Sequence, residues 1–222
     1  MRVCTLGMVL STTVSMGHSY RLLSDNALRN LPDGAADFDI HTGALLAPIL
    51  QPRVPGTPGS TAVLNHFLDF FRKTLPEWTV ELQNSTSKTP LSGDEEVPFV
   101  NLIATRDPPG AVAGEVGRLV LAAHYDSKLT PDGFIGAIDS AAPCAMLMHV
   151  ARSVNDALTK KWAAKQAVHA ELDKNLDSKS AQGLQILLFD GEEAFVSWTH
   201  TDSLYGSRYF PQIMRSGDQR HC

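Results

Sequence analysis

The chain has 222 residues, of which 43% are hydrophobic, and its formal net charge is −5. A chain of this length can bury the core of one globular domain, and the absence of a basic stripe argues against a nucleic-acid partner. No apolar run approaches the roughly 20 residues that a membrane-spanning helix needs, so we expect no membrane span. Three cysteines without a CxxC pair predict neither a disulfide framework nor a thiolate metal site.

The N-terminal part of the chain shows few signs of regular structure. Residues 1–19 combine one basic residue with a modestly apolar middle, and they are either a weak secretory signal segment or a disordered terminus. A glycosylation sequon at Asn84 favours the secretory pathway or the extracellular space, while a cytoplasmic location stays open. Pro, Gly and Asp are frequent in residues 20–59, which we expect to be irregular, and we assign the catalytic α/β domain to residues 60–222.

Apolar periodicity predicts a series of helices and strands after this segment. A helix begins at Ser60 or Thr61, whose side chains can cap it, and stops at Pro76. Ser140 is the expected cap of a second helix that reaches about Ala157. The remaining predicted elements are a strand at Trp78–Leu82, a hairpin or loop at Thr86–Glu96, two neighbouring strands at Val97–Thr105 and Arg118–Ala123, a core strand at Leu184–Phe189 and a helix at Ser203–Met214.

These elements predict an α/β fold with a mixed, largely parallel central sheet flanked by helices. The strand at Leu184–Phe189 is strongly apolar and central in this scheme, yet little chain follows it to cover its far side. An uncovered apolar strand promotes aggregation, so we expect either shielding by loops or a chain truncated at its C-terminus.

Two of the predicted strands run into groups of ionisable residues. One is followed by His124 and Asp126 and the other by Glu192 and Glu193, with Asp139 between them in the chain. Ligands of open α/β sheets bind beyond the carboxyl ends of the strands. Adjacent carboxylates repel each other unless a cation or a raised pKa relieves the repulsion. This combination therefore predicts a zinc site with an adjacent general base.

Each of these residues also has a structural alternative. Asp139 precedes a predicted helix, where free N–H groups favour an ionised carboxylate, and it is either a metal ligand or a helix cap. His124 is either a zinc ligand or a buried histidine bonded to carboxylates, with Asp126 as the acceptor for its imidazole. Since neighbouring side chains diverge at a turn, one of Glu192 and Glu193 can reach a metal while the other faces a substrate.

Five sequence blocks resemble a known enzyme family. They are NLIAT at 101–105, AHYDSK at 123–128, GAIDSAAPCAM at 136–146, LLFDGEEAF at 187–195 and DSLYGSR at 202–208. In these blocks the chain is similar to the glutaminyl-peptide cyclotransferases, or glutaminyl cyclases, which are related to the zinc aminopeptidases of the M28 type. The resemblance implies one zinc ion per chain and a zinc-exopeptidase-like fold. The implied reaction converts an N-terminal Gln or Glu of a peptide into pyroglutamate and releases ammonia or water.

The resemblance also implies roles for individual residues. Asp139 and Glu193 match zinc ligands of the family, Glu192 matches its acid/base residue, and Trp198 matches a tryptophan that lines the substrate pocket. From its sequence context alone, Trp198 either walls a pocket or fills the core. The family's third zinc ligand, a histidine, and a second catalytic aspartate lie downstream of the last block and have no match here. His124 could substitute, although its counterpart in the cyclases is not a zinc ligand.

Two other functions stay open at this point. In a zinc aminopeptidase, His124 and Asp139 would hold one metal ion, Asp139 and Glu193 a second, and Glu192 would activate water. Alternatively, the chain is an inactive homologue that acts as a binding module. We expect a monomer whose partners are peptides, and metal stoichiometry distinguishes the cyclase, with one zinc ion, from the peptidase, with two.

Overall fold

The computed structural model describes residues 22–31, 34–112, 115–171 and 182–216. The predicted signal segment at 1–19 lies outside the described residues. The chain divides into two units, Met1–Pro32 and Asp33–Cys222. In the first unit, Ser24 caps the short helix α1, Asp25–Arg29, by accepting a hydrogen bond from a backbone amide.

The second unit contains the other described helices and all described strands. The helices are α2 at Ala35–Phe38, α3 at Pro58–Thr74, α4 at Ala142–Glu171 and α5 at Tyr205–Ser216, with a 3₁₀ turn at Ala47–Ile49 and a π-helical turn at Ala137–Ala141. The strands are β1 at Thr79–Ser87, β2 at Val97–Arg106, β3 at Gly117–His124 and β4 at Gln182–Phe189. None of the described helices is both long and apolar enough to cross a membrane.

The four strands form one mixed sheet in the order β1-β2-β4-β3. β2 pairs antiparallel with both β1 and β4, whereas β3 and β4 are parallel. Helix α4 connects these two parallel strands, and a helical crossover is the usual connection between parallel neighbours. The structure thus has the predicted mixed α/β architecture. Two of the three pairings of the described strands are antiparallel, so this sheet is mixed rather than largely parallel, and its parallel pair is β3 with β4.

Two predictions about the strands are wrong, one about the neighbours of β2 and β3 and one about which strand is uncovered. β2 and β3 follow each other in the chain, but β4 lies between them because the α4 crossover returns the chain to the side of β3 that faces β2. The strand at Leu184–Phe189 is central, as predicted, but it is not uncovered, because β4 is paired on both sides and buried except at its two ends. The open edge belongs to β3, where Leu119 is 64% exposed.

Helices cover both faces of the sheet. Fully buried side chains from α3, α4, β2 and β4 form the core on one face, and they include Val63, Phe67, Phe71, Leu102, Met148 and Ile186. Each such side chain contributes roughly 1.5–3 kcal/mol by burial. The alternation of β2 sends Phe99 and Asn101 to the other face, where α5 packs. There Phe99 stacks on Tyr205 at 5.1 Å, and Asn101 Nδ2 donates to the Gly206 carbonyl at 2.8 Å.

The starts of the two long helices differ from their predicted positions. Thr57 caps α3 one turn earlier than expected, and its hydroxyl accepts the backbone N–H of Ser60 at 3.4 Å. Ser140, the predicted cap of α4, instead donates its hydroxyl to the backbone carbonyl of His124. This bond ties the start of α4 to the carboxyl end of β3, and it places the turn before α4 beside the candidate site.

Candidate metal centre

The parallel pairing of β3 and β4 brings the two predicted groups of ionisable residues together. His124, the last residue of β3, lies opposite Phe189, the last residue of β4. The Tyr125 amide then donates to the Phe189 carbonyl at 2.7 Å, which continues the pairing beyond the strands. Because both strands end at the same edge of the sheet, the loop after β4 carries Glu192 and Glu193 to the side of His124.

Three side chains at this edge can hold a metal ion. One donor atom from each of His124, Asp139 and Glu193 lies within 4.8 Å of the others. Asp139 sits in the turn at Ala137–Ala141 ahead of α4, its φ of −117° and ψ of 87° are not helical, and its side chain is 72% exposed. Glu193 is 5% exposed, and its Oε1 atom is buried without a hydrogen-bond partner in the described part of the chain. An imidazole with two carboxylates suits zinc, and a cation would satisfy the buried oxygen, so these residues fit a metal ion.

Asp126 orients the residues of this cluster. Its buried carboxylate accepts the backbone N–H groups of Glu192 at 3.0 Å and Glu193 at 2.9 Å. Its Oδ1 atom also lies 3.3 Å from His124 Nδ1. The imidazole is thereby held with its Nε2 atom towards Asp139, at 2.8 Å from Oδ1. A histidine that binds a metal through one ring nitrogen usually donates the N–H of its other ring nitrogen to an acceptor such as a carboxylate.

The two adjacent glutamates have different environments. Glu193 is buried in the donor cluster, whereas the side chain of Glu192 is 29% exposed, with Oε2 at 3.9 Å from His124 Nε2. Burial raises the pKa of both carboxyls, and Lys128, whose Nζ lies 3.6 Å from Glu193 Oε2, opposes that change. Glu192 is therefore an accessible carboxyl with a raised pKa beside the donor cluster, which suits it to proton transfer.

The charge state of His124 reflects its acidic neighbours. Burial alone lowers its pKa, but the hydrogen bonds to Asp126 and Asp139 and the charges of Asp126 and Glu192 raise the pKa of His124 to about 9. An imidazole binds a metal only in its neutral form, so metal binding at His124 must release a proton.

Two buried residues at the edge of the sheet, Asp190 after β4 and Tyr125 after β3, both form hydrogen bonds with Val100 of β2. Burial, together with the charge of Asp126, raises the pKa of Asp190 well above its ordinary value. Its Oδ2 atom accepts the Val100 N–H at 3.0 Å, and the Tyr125 hydroxyl donates to the Val100 carbonyl at 2.8 Å. The loop with the glutamate pair therefore starts from a fixed position.

Sequence reasoning missed the residue that shapes the loop after the glutamates. The Asp202 carboxylate accepts the backbone N–H groups of Phe195, Val196 and Ser197 at 2.8–2.9 Å and the Tyr205 hydroxyl at 2.7 Å. Burial alone would raise the pKa of Asp202, but these hydrogen bonds outweigh it and lower the pKa. Membership of the DSLYGSR block was a signal that could have identified Asp202.

Trp198 lies on the loop that Asp202 holds. It is 56% exposed, so it does not fill the core, and it follows Glu193 by five residues in the chain. The loop itself begins at Gly191, which has a φ of 65°. A Cβ atom there would lie 2.3 Å from the Phe99 ring, so only glycine allows this approach to β2.

Comparison with known proteins supports a relationship over most of the chain. Residues 101–220 match Peptidase family M28. The chain is similar to a glutaminyl-peptide cyclotransferase of Bos taurus, with 36% identity over 204 residues that cover 90% of this chain and 51% of the relative. The crystal structure of Macrostomum lignano glutaminyl cyclase superposes with a TM-score of 0.61 and 34% identity, covering 84% of this chain and 46% of that one.

A more distant structure shares the fold. The crystal structure of a Zn-dependent exopeptidase from Parabacteroides distasonis superposes with a TM-score of 0.52 and 19% identity, covering 81% of this chain and 56% of that one. The chain spans about half the length of the curated relatives it matches. These similarities confirm the resemblance read from the five sequence blocks. The M28 match covers more than half of the chain and includes His124, Asp139 and both glutamates, so the chain belongs to peptidase family M28.

Proposed function

We propose that the protein is a glutaminyl-peptide cyclotransferase, which converts the N-terminal Gln, or Glu, of a peptide into pyroglutamate. This proposal rests on the different positions of the two glutamates whose backbone N–H groups Asp126 accepts. The Glu193 side chain belongs to the donor cluster, whereas the Glu192 side chain lies beside the cluster and is partly exposed. The similarity to the Bos taurus glutaminyl-peptide cyclotransferase supports the same activity for this chain.

His124, Asp139 and Glu193 are the residues that would hold one zinc ion per chain. A bound zinc ion would polarise the γ-carbonyl of the substrate side chain and stabilise the negative charge that develops on its oxygen. Asp126 would keep the imidazole and the buried glutamate in place during the reaction. The exposed side of Asp139 leaves the cluster open to an approaching peptide N-terminus, and Trp198 would line the pocket there.

Glu192 would transfer the proton that the reaction moves. The substrate's α-amino nitrogen attacks the γ-carbonyl carbon and forms the C–N bond of a five-membered lactam, while the γ-amide nitrogen leaves as ammonia. Glu192 accepts a proton from the attacking nitrogen and returns one to the leaving nitrogen, so the step consumes no net proton. Because both reacting groups belong to one residue, orientation and carbonyl activation are enough, and little translational entropy is lost.

The test is ammonia release from a Gln-initiated dipeptide with added zinc. We expect Glu192→Gln to lower the rate by roughly 10²- to 10⁴-fold, the usual contribution of a general acid/base. Glu95→Gln is the matched control, because Glu95 is an exposed glutamate in the turn between β1 and β2, and its rate should equal that of the parent. Equal rates for the parent and Glu192→Gln would overturn the proposal.

A zinc-dependent aminopeptidase is the second candidate. The 2.8 Å approach of His124 Nε2 to Asp139 Oδ1 would also let these two residues share one metal ion, with a second between Asp139 and Glu193. One bound zinc ion with ammonia release supports the cyclase, whereas two zinc ions with release of N-terminal residues support the peptidase. A chain that binds no zinc, and whose Glu192→Gln variant behaves like the parent, would be a non-catalytic binding module.

We also infer that the protein enters the secretory pathway and is a monomer. Asn84 of the sequon is exposed on the edge strand β1, where a glycan would displace no core residue. Expression in a secreting eukaryotic cell should give a form whose mobility shifts after glycosidase treatment, and Asn84→Gln should abolish that shift. Light scattering of the purified protein should give the mass of one chain.

A further inference from the structure

Arg53 is a fully buried arginine in the segment ahead of α3. Among the described residues, the hydrogen bonds of its guanidinium go to backbone carbonyls. Two of them belong to its own segment, those of Ile49 at 3.4 Å and Gln51 at 3.3 Å. The other three lie in the stretch between β3 and the π-helical turn, and they are the carbonyls of Tyr125, Ile135 and Gly136.

These last carbonyls flank the candidate metal ligands. Tyr125 directly follows His124, and Gly136 leads into the turn that contains Asp139. Gly136 has a φ of 46°, and a Cβ atom there would lie 2.4 Å from the Asp139 carbonyl and 3.3 Å from Arg53 Nη2. The backbone of the turn thus passes directly against the guanidinium, and glycine is required for this approach.

A second contact joins the Arg53 backbone to the same stretch. The Arg53 amide donates to Ser127 Oγ at 2.9 Å, and the Ser127 amide donates to the Arg53 carbonyl at 3.4 Å. Main chain and side chain of one residue therefore bind both ends of the segment that separates His124 from Asp139.

The charge of Arg53 also interacts with acidic groups of the candidate site. Burial lowers the pKa of Arg53, and the charges of nearby acidic groups, among them Asp126, Asp139 and Glu193, oppose that change. A buried cation is costly unless its donors are satisfied, and a guanidinium can satisfy several carbonyls at once where a lysine ammonium cannot.

We propose that Arg53 is a positioning residue of the metal centre. It fixes the distance between the end of β3 and the turn before α4, so that His124 and Asp139 are already placed to share a metal ion. Its permanent positive charge offsets the mutual repulsion of the carboxylates in the absence of metal. This inference rests on the proposed metal site and is independent of the reaction catalysed there.

The test compares variants of two buried arginines in the full chain. Zinc affinity is measured by competition with a chromophoric chelator, and stability is measured by thermal unfolding in the absence of metal. Arg53→Met removes the charge and the donors at similar side-chain length. Arg106→Met is the matched control, because Arg106 is buried, binds Asn155 and Thr159 and lies 4.9 Å from the centre of the Trp162 ring, outside the donor cluster. We expect both variants to unfold at lower temperature, and only Arg53→Met to lose zinc affinity, by roughly 10- to 100-fold.

Two milder variants keep the test decisive if Arg53→Met does not fold. Arg53→Lys retains the charge but not the fork of donors, and we expect it to lose zinc affinity by about 10-fold. Ser127→Ala removes one hydroxyl from the same junction and should lose affinity by a few-fold, about 3-fold. Parent-like zinc affinity in the Arg53 variants that fold and in Ser127→Ala, or an equal loss in Arg106→Met, would overturn the inference.

The same experiment separates this inference from the proposed activity. A parent chain that binds zinc but releases no ammonia overturns the cyclase and leaves the role of Arg53 to be judged by affinity. A parent chain that cyclises Gln-peptides, with parent-like zinc affinity in Arg53→Met, overturns the role of Arg53 and leaves the cyclase standing.

Discussion

The imidazole of His124 bridges two carboxylates, with Nε2 at 2.8 Å from Asp139 Oδ1 and Nδ1 at 3.3 Å from Asp126 Oδ1. Asp126, which contacts Nδ1, has a fully buried side chain, whereas Asp139, which contacts Nε2, has an exposed one. Because Asp126 keeps the ring orientation, we expect Nε2 to bind the proposed metal ion without a change of rotamer.

His124→Ala should therefore lower zinc affinity by more than about 100-fold, since it removes a donor atom rather than a supporting group. Isothermal titration with zinc chloride measures this directly. His66→Ala is the control, because His66 lies on α3 and contacts the Leu45 carbonyl at 3.2 Å, outside the donor cluster. Zinc affinity in His124→Ala equal to that of the parent would show that this histidine is not a ligand.

Asp126→Asn should reduce zinc affinity by roughly 10- to 100-fold, in the range of other residues that support metal ligands. The N–H groups of Glu192 and Glu193 point at different carboxylate oxygens of Asp126, so in the amide one of them would face an NH2 donor instead of an acceptor. Asp107→Asn is a suitable comparison, since that carboxylate binds Arg118 at 2.7 and 2.9 Å outside the cluster. Equal affinities in the two variants would contradict the supporting role of Asp126.

Asp202→Asn should destabilise the protein by about 1–3 kcal/mol, because the N–H groups of Phe195, Val196 and Ser197 lose a charged acceptor. The change should also lower the rate of ammonia release, since the adjoining Leu204 amide donates to the Glu192 carbonyl at 2.9 Å. Zinc affinity should stay close to that of the parent, because Asp126 holds Glu193 independently. Urea unfolding and a zinc titration test both expectations, and a parent-like unfolding free energy would refute the first.

The lowered pKa of Asp37 predicts how the free energy of unfolding of the second unit depends on pH. Burial alone raises its pKa, but the hydrogen bonds and charges of His149 and Arg152 on α4 outweigh burial and lower the pKa of Asp37. A carboxyl whose pKa is lower in the folded state stabilises the fold above its unfolded pKa of about 3.9 and loses that contribution as pH falls through the folded pKa.

Asp37→Asn should accordingly reduce the free energy of unfolding by about 1–3 kcal/mol at pH 7, and the difference should shrink as the pH falls below about 4. Urea unfolding of parent and variant at a series of pH values measures this. Asp69→Asn is the control, because Asp69 forms an exposed i,i+4 pair with Lys73 and should leave stability essentially unchanged. A difference that stays constant down to pH 2 would exclude an ionised Asp37 as its source.

Local patterns were enough to predict which ionisable residues meet at one edge of the sheet. Apolar runs that stop at His124 and before Glu192 mark the carboxyl ends of β3 and β4, and strand ends at one sheet edge collect ligands. The same patterns could not order the strands, because β2 and β3 are equally apolar neighbours in the chain and the position of β4 depends on the α4 crossover. The start of α3 was displaced by about one turn, since a cap depends on local backbone geometry as well as residue type.

The residue types and their spacing predict a negatively charged α/β chain with a histidine, an aspartate and a glutamate pair at strand ends. The tertiary structure decides which of these side chains lie close together and which residues hold them in place through hydrogen bonds. Arg53 and Gly136 are distant in the chain, and no periodicity links them. They come into contact because the packing of α3 and the sheet brings their segments together. Short-range spacing encodes helices and strand ends, whereas hydrogen bonds between remote segments exist only once the core has formed.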